Sequence, residues 1–248
     1  MANVLVYELD GKIYINLTNK CTNDCIFCLR KDKDDVKGQT LWLDDENCTA
    51  QDVIAQLNKY YPHPNPQPYG IQAQSSSLRS GASLCIPKGE GAVANEFTSC
   101  VNAGEGLNEV IFCGYGEPLL KLDVLKEVAK YIKEKYPQTK IRINTNGHAN
   151  YVYKRDIVPE LKGLIDTISV SLNGESSKEY DELSQPVFEG AYDEVKKFIK
   201  SCADNGFETV ASVVEGYKGR HLNLDKCEQI ATDLGAKFRV REWIKNGY

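Results

Sequence analysis

Three cysteines stand close together in Lys20-Cys-Thr-Asn-Asp-Cys-Ile-Phe-Cys28, at positions 21, 25 and 28. They follow an alternating apolar run, Ile13-Tyr-Ile-Asn-Leu17, so they fall on a loop just beyond a predicted first strand. Thiolates are soft metal ligands, and this spacing is too tight for unstrained internal disulfides, so the triplet reads as a metal-binding set. Two kinds of centre stay open on the triplet alone. A structural zinc ion wants four ligands; no second Cys-x2-Cys pair exists, so the fourth would be a distant thiol such as Cys48. An iron–sulfur cube takes one thiolate per iron, and three cysteines leave one iron open to a substrate or cofactor.

The composition sets the frame for this chemistry. The chain has 248 residues, 42% of them hydrophobic, enough for one substantial α/β core. A formal charge of −5 is mild and argues against a general nucleic-acid or membrane-surface binder. No apolar run is long enough to span a bilayer and no charged-then-apolar leader follows Met1, so a cytoplasmic protein is expected. Nine cysteines, an odd number, speak for metal and against a disulfide framework.

The elements that must position the triplet alternate along the chain. Strands are predicted at Ile13–Thr18, Glu109–Cys113, Lys140–Thr145, Thr167–Leu172, Thr209–Val214 and Lys237–Arg241, each nearly continuous in apolar character, as for strands buried on both faces. Amphipathic helices are predicted at Ala50–Tyr60, Leu122–Lys135, Val152–Lys162, Ala191–Ala203 and Leu224–Leu234. Six such βα units imply a parallel sheet in an α/β fold, either an incomplete barrel or an open doubly wound sheet. Function should gather at the carboxyl ends of the strands. One stretch, residues 62–106, breaks the rhythm with prolines, serines and glycines; it is expected to be an insertion, a lid or a substrate-binding loop in a single domain of residues 1–248.

With Phe27 directly before the last cysteine, Cys21-x3-Cys25-x2-Cys28 resembles the signature of the radical S-adenosylmethionine (radical SAM) superfamily. The resemblance implies a partial (β/α)6 barrel, a 4Fe–4S cluster on the three cysteines, and S-adenosylmethionine (SAM) chelated at the open iron. Reductive cleavage of SAM would give a 5′-deoxyadenosyl radical that abstracts hydrogen from a substrate. In such enzymes the cofactor carries the radical chemistry and the protein orients it.

Further segments carry the same resemblance. Phe112-Cys-Gly-Tyr-Gly-Glu-Pro118 is similar to the family's glycine-rich segment, implying that Gly114, Tyr115, Gly116 and Glu117 hold the methionyl amino group. By itself it would read as a glycine turn with a helix-start acid. The third strand ends in Thr145-Asn-Gly147, and the resemblance implies a cofactor role for Asn146. Ser171 and Asn173, at the end of the fourth strand, are expected to meet the ribose or the methionyl carboxylate, although short polar groups there are more often turn and cap residues. Val213 is expected to lend backbone to adenine, and Arg241 to meet a carboxylate of SAM or substrate or to form a surface ion pair. Cys113, Cys202 and Cys227 read as small core residues, Cys85 and Cys100 as ordinary thiols, and the three histidines form no metal pair by spacing.

Leu41-Trp-Leu43, Phe112–Pro118, Ile143–Gly147, Asp156–Leu161 and Phe238-Arg-Val-Arg241 resemble, more narrowly, the TatD-associated radical SAM proteins. That likeness implies association with a TatD-type nuclease, and the superfamily implies a reducing partner such as flavodoxin or ferredoxin. The expected substrate is a peptide or protein. Alternatives are a small-molecule or nucleobase synthase, a glycyl-radical enzyme activase and, from another class, a zinc-stabilised binding module.

Overall fold

A computed structural model describes residues 3–32, 35, 36, 38–60 and 108–243. The predicted insertion at 62–106, with Cys85, Cys100 and His63, lies outside the described residues.

The chain enters through a hairpin, β1 (Val6–Leu9) and β2 (Lys12–Ile15), turned by Asp10 and Gly11 with backbone φ of 52° and 73°. Asp-Gly is the sequence that tolerates two left-handed residues in a two-residue turn. β1 lies ahead of the expected strands, which begin at Ile13; as the antiparallel partner of β2 it opens no βα unit. After β2 come the cysteine loop, a short helix α1 (Leu29–Asp32), and a small ribbon of β3 (Asp35–Val36) and β4 (Gln39–Thr40). The remaining strands are β5 (Glu109–Phe112), β6 (Lys140–Thr145), β7 (Thr167–Ser171), β8 (Glu208–Glu215) and β9 (Lys237–Glu242).

The main sheet runs β1-β2-β5-β6-β7-β8-β9, antiparallel only between β1 and β2 and parallel thereafter. Six parallel strands in chain order are the predicted six units, and β1 and β9 are its two unjoined edges among the described residues. Helices α2 (Ala50–Tyr60), α3 (Leu122–Lys135), α6 (Ala191–Asp204) and α7 (Leu224–Asp233) match the predicted spans to within a residue. Their apolar stripes meet the sheet: Val53, Leu57, Leu125, Val128, Val195 and Phe198 are wholly buried against Ile15, Val110, Phe112, Ile143, Val170 and Val213.

Two expectations need correction. The helix predicted over 152–162 is instead α4 (Ala149–Tyr153), stopped by left-handed Lys154, followed by a 3-10 turn at Val158–Leu161. Pro159 is accepted in the first turn of the 3-10 segment but would have broken a continuous helix. The strands are also not apolar on both faces. Alternation puts Ile141, Ile143, Ile168, Val170, Ala211 and Val213 under the helices, whereas Arg142, Asn144, Ser169, Ser171, Ser212 and Arg241 look the other way. A further helix, α5 (Ser177–Ser184), was not predicted. Its signal was present: the Ser176 side chain caps Glu179 N, as in a Ser-x-x-Glu box.

Candidate active site

The cysteine loop leaves the carboxyl end of β2 and is fastened across the strand ends by backbone hydrogen bonds. Asp24 N donates to Ser184 O at 3.1 Å, Ile26 N to Leu183 O at 2.9 Å, and Val187 N to Thr22 O at 3.0 Å. It is therefore held to the last turn of α5 and to the segment that follows it. Cys21, Cys25 and Cys28 are each partly exposed. Burial pushes the Cys21 thiol up to about 11 and the Cys25 thiol up to about 12, the latter also through its two neighbouring cysteines. In the protein alone these thiols stay protonated, and thiolates would form together with a cationic centre.

Hydrogen-bond donors already face two of the sulfurs. Asn23 N lies 3.4 Å from Cys21 Sγ, and Asn146 Nδ2 lies 3.5 Å from the same sulfur. The Ser184 side chain hydrogen-bonds Cys25. Cys48 stands apart: it is buried, and its Sγ donates to Leu17 O at 3.3 Å within the helix-facing core.

The glycine-rich segment after β5 presses against the start of the cysteine loop. A Cβ on Gly116 would sit 2.2 Å from Thr18 O and 2.5 Å from Lys20 O, and one on Gly114 would sit 2.0 Å from Asn16 Oδ1. Glycine at 116 lets the two backbones come this close, and glycine at 114 leaves room for the Asn16 side chain. Between them, Tyr115 is buried in a small cluster with Tyr7, Leu9, Val36 and Leu41, and stands edge-on to Trp42. Tyr115 thus closes the β1–β2 side of the concave face.

Glu117 is 3% exposed, and both of its oxygens are engaged. Oε1 accepts from Leu119 N at 3.0 Å and Thr145 Oγ1 at 2.8 Å, and Oε2 accepts from Asn146 N at 2.7 Å. The carboxyl thereby clamps the ends of β5 and β6 together. Burial raises its pKa to about 7, against the opposing pull of these hydrogen bonds.

The other predicted residues fall at the same end with different orientations. Phe27 stands edge-on to Tyr217, which packs in turn on Trp243. Asn173 has a left-handed backbone (φ 55°) and donates to Ser184 Oγ at 3.1 Å, while its buried Oδ1 has no partner. Ser171 and Arg241 lie on the polar, concave face. The side chain of Val213 points into the helix-facing core, leaving only its backbone for a ligand. Sequence reasoning missed Thr22 and Asn23 of the loop, which bond to buried His148 and Tyr180 beneath it, and Ser184, which accepts from Asn173. Only the nearness of His148 to Asn146-Gly147 hinted at any of them.

A family model described as the radical SAM superfamily matches residues 92–234, more than half of the chain. The chain belongs to the radical SAM superfamily. The match begins after the cysteine loop, so the place of the thiols rests on their own geometry. Solved structures share the fold. TYW1 with a lysine-pyruvate adduct bound gives a TM-score of 0.54 at 11% identity, over 94% of this chain and 64% of that one. A radical SAM methyltransferase from Sphaerobacter thermophilus gives 0.52 at 13%, over 96% and 68%. Streptococcus suis SuiB bound to its precursor peptide SuiA gives 0.50 at 18%, over 94% and 39%. The chain thus spans less than two thirds of the TYW1 and SuiB chains. No curated protein matches the sequence.

Membership implies a 4Fe–4S cluster and SAM. The residues present fit this pair. Three thiols share one loop, with hydrogen-bond donors facing two of them, and Cys48, the distant thiol a zinc site would draw on, is spent in the core. Among the described residues no three His, Cys, Asp or Glu side chains converge as a single metal ion would require. A cube needs no such convergence, because each thiolate meets its own iron. No described helix is long and apolar enough to cross a membrane.

Proposed function

We propose that this radical SAM enzyme holds its cluster on Cys21, Cys25 and Cys28, binds SAM against the ends of β5 to β9, and modifies a peptide or protein. The observation that carries the reading is the convergence of the cysteine loop, the Gly114–Glu117 segment and Asn146 at one end of the sheet, through Gly116 and the Glu117 clamp. When bound, the cluster and SAM supply a 5′-deoxyadenosyl radical for hydrogen abstraction. The chain's own part is to hold and orient. Glu117 spends its oxygens on protein donors, so a cationic methionyl amine would meet the backbone of this segment with the buried carboxyl behind it. Phe27, Ser171, Asn173, the Val213 backbone and Arg241 line the remaining reach of the cofactor.

A peptide or protein substrate is supported by the two unjoined sheet edges, which leave a lateral mouth among the described residues, and by the likeness to a fold solved with a precursor peptide bound. The TatD-associated subgroup is the finer placement suggested by the five sequence segments quoted above, with a TatD-type nuclease as functional associate and flavodoxin or ferredoxin as electron donor. The whole chain is read as one domain.

Anaerobic reconstitution tests the reading. The expected product is a brown protein with about four irons per chain, which forms 5′-deoxyadenosine when reduced with dithionite and SAM. A colourless protein with about one zinc would overturn it in favour of a binding module. Deuterated peptide pools should pass deuterium into 5′-deoxyadenosine; transfer from nucleobase-type small molecules only would move the substrate to that class.

A further inference from the structure

From Asn146 a chain of side chains runs through Thr22 of the cysteine loop to His148 and Tyr180 beneath it, and the proposed cofactor contacts do not use these last three. Asn146 Oδ1 accepts from His148 N at 3.0 Å, which fixes the amide so that Nδ2 faces Thr22 Oγ1 at 2.8 Å and Cys21 Sγ at 3.5 Å. The Thr22 oxygen takes one amide proton, and its own proton is directed to His148 Nδ1, 2.8 Å away. The imidazole proton then belongs on Nε2, 2.8 Å from Tyr180 Oη, which also accepts from Asn23 Nδ2 at 3.1 Å. His148 is fully buried, with Tyr180 and Phe188 both edge-on to its ring, and burial holds its pKa down at about 4. It is therefore neutral at physiological pH, able to accept on one nitrogen and donate on the other.

We propose that His148 is a positioning residue for the cluster: by taking the Thr22 proton it keeps the Asn146 amide on the Cys21 sulfur, and so sets the reduction potential of the centre bound there. The inference rests on the reading that Cys21, Cys25 and Cys28 hold the cluster. A donor aimed at a ligating sulfur favours the reduced, more negative state, so its loss makes the centre harder to reduce. The anchoring is rigid because the network joins the loop to β6 through Asn146 and His148, and to α5 through Tyr180.

The test uses the reconstituted full chain, with iron content per chain and dithionite titration followed by electron paramagnetic resonance. Thr22→Val keeps the side-chain shape and removes only the hydroxyl, while His148→Phe removes both ring hydrogen bonds. Both are expected to load iron as the wild type does, with the potential shifted to more negative values. His148→Gln, which can still accept and donate, is expected to recover part of the shift. Should His148→Phe fail to fold, Thr22→Val decides alone. A Thr22→Val protein with full iron and an unchanged potential would overturn the proposal. A wild-type chain that takes up no iron would instead overturn the cluster reading beneath it.

Discussion

The two faces of the main sheet are built from the same strands and do opposite things. Under the helices, Ile143, Val170 and Val213 pack to full burial with Leu125, Val128 and Phe198. On the concave face the alternate positions of those strands carry Arg142, Asn144, Ser169, Ser171, Ser212 and Arg241. Even there the charges are matched, for Arg142 faces Glu109 at 3.4 Å, and Glu109 also meets Lys12 at 2.7 Å. One face is a source of stability; the other is a surface shaped to receive something polar. The difference teaches that strand residues a single position apart should fail in different ways.

Substitutions can break that contrast or sharpen it. The largest effect is expected from Cys25→Ala, which should abolish SAM cleavage and cluster loading while the apoprotein melts, by circular dichroism, close to the wild type. On the helix side, Phe198→Ala should cost about 3–5 kcal/mol in denaturant unfolding, because it empties a fully buried aromatic site. An unchanged midpoint would show that this face does not carry the core.

His148 gives a smaller, pH-dependent effect. Its folded pKa of about 4 lies below the ordinary 6.5, so the unfolded chain binds the extra proton first and the stability from neutral His148 is lost as pH falls from 6.5 towards 4. The loss should reach roughly 3 kcal/mol at most. Glu117 acts with the opposite sign, its contribution fading as pH rises from 4.5 through about 7. Subtracting the stability curve of His148→Phe from that of the wild type removes the Glu117 effect, and the difference should shrink on acidification. A flat difference would show that His148 is not buried neutral. The smallest stability change is expected from Ser171→Ala, within about 0.5 kcal/mol. SAM binding by the reconstituted protein, measured by calorimetry, should nonetheless weaken.

Much of this molecule was legible in the sequence. The spans of α2, α3, α6 and α7 and the alternation of six strands with helices follow from apolar periodicity, which is a local property, whereas the chain-order arrangement of those strands in the sheet does not. The face polarity was harder to read, since strand ends such as Ile168-Ser-Val-Ser171 pass for continuous apolar runs when serine is counted as neutral. The fate of Glu117 was legible only in part. Its place after two glycines marked a ligand segment, but not that Thr145 and Asn146 from the next strand would occupy its oxygens.

By itself, then, the sequence determined the order of elements and the one loop rich enough in thiols to hold a cluster, because hydrophobic period and cysteine spacing act between near neighbours. Tertiary structure decided that Cys48 turns into the core, that Val213 faces the helices, and that Thr22 meets His148 across 126 residues of chain. Such pairings have no local signature; they exist because the sheet brings distant strand ends to one edge, where buried polar groups must find partners or forfeit their hydration.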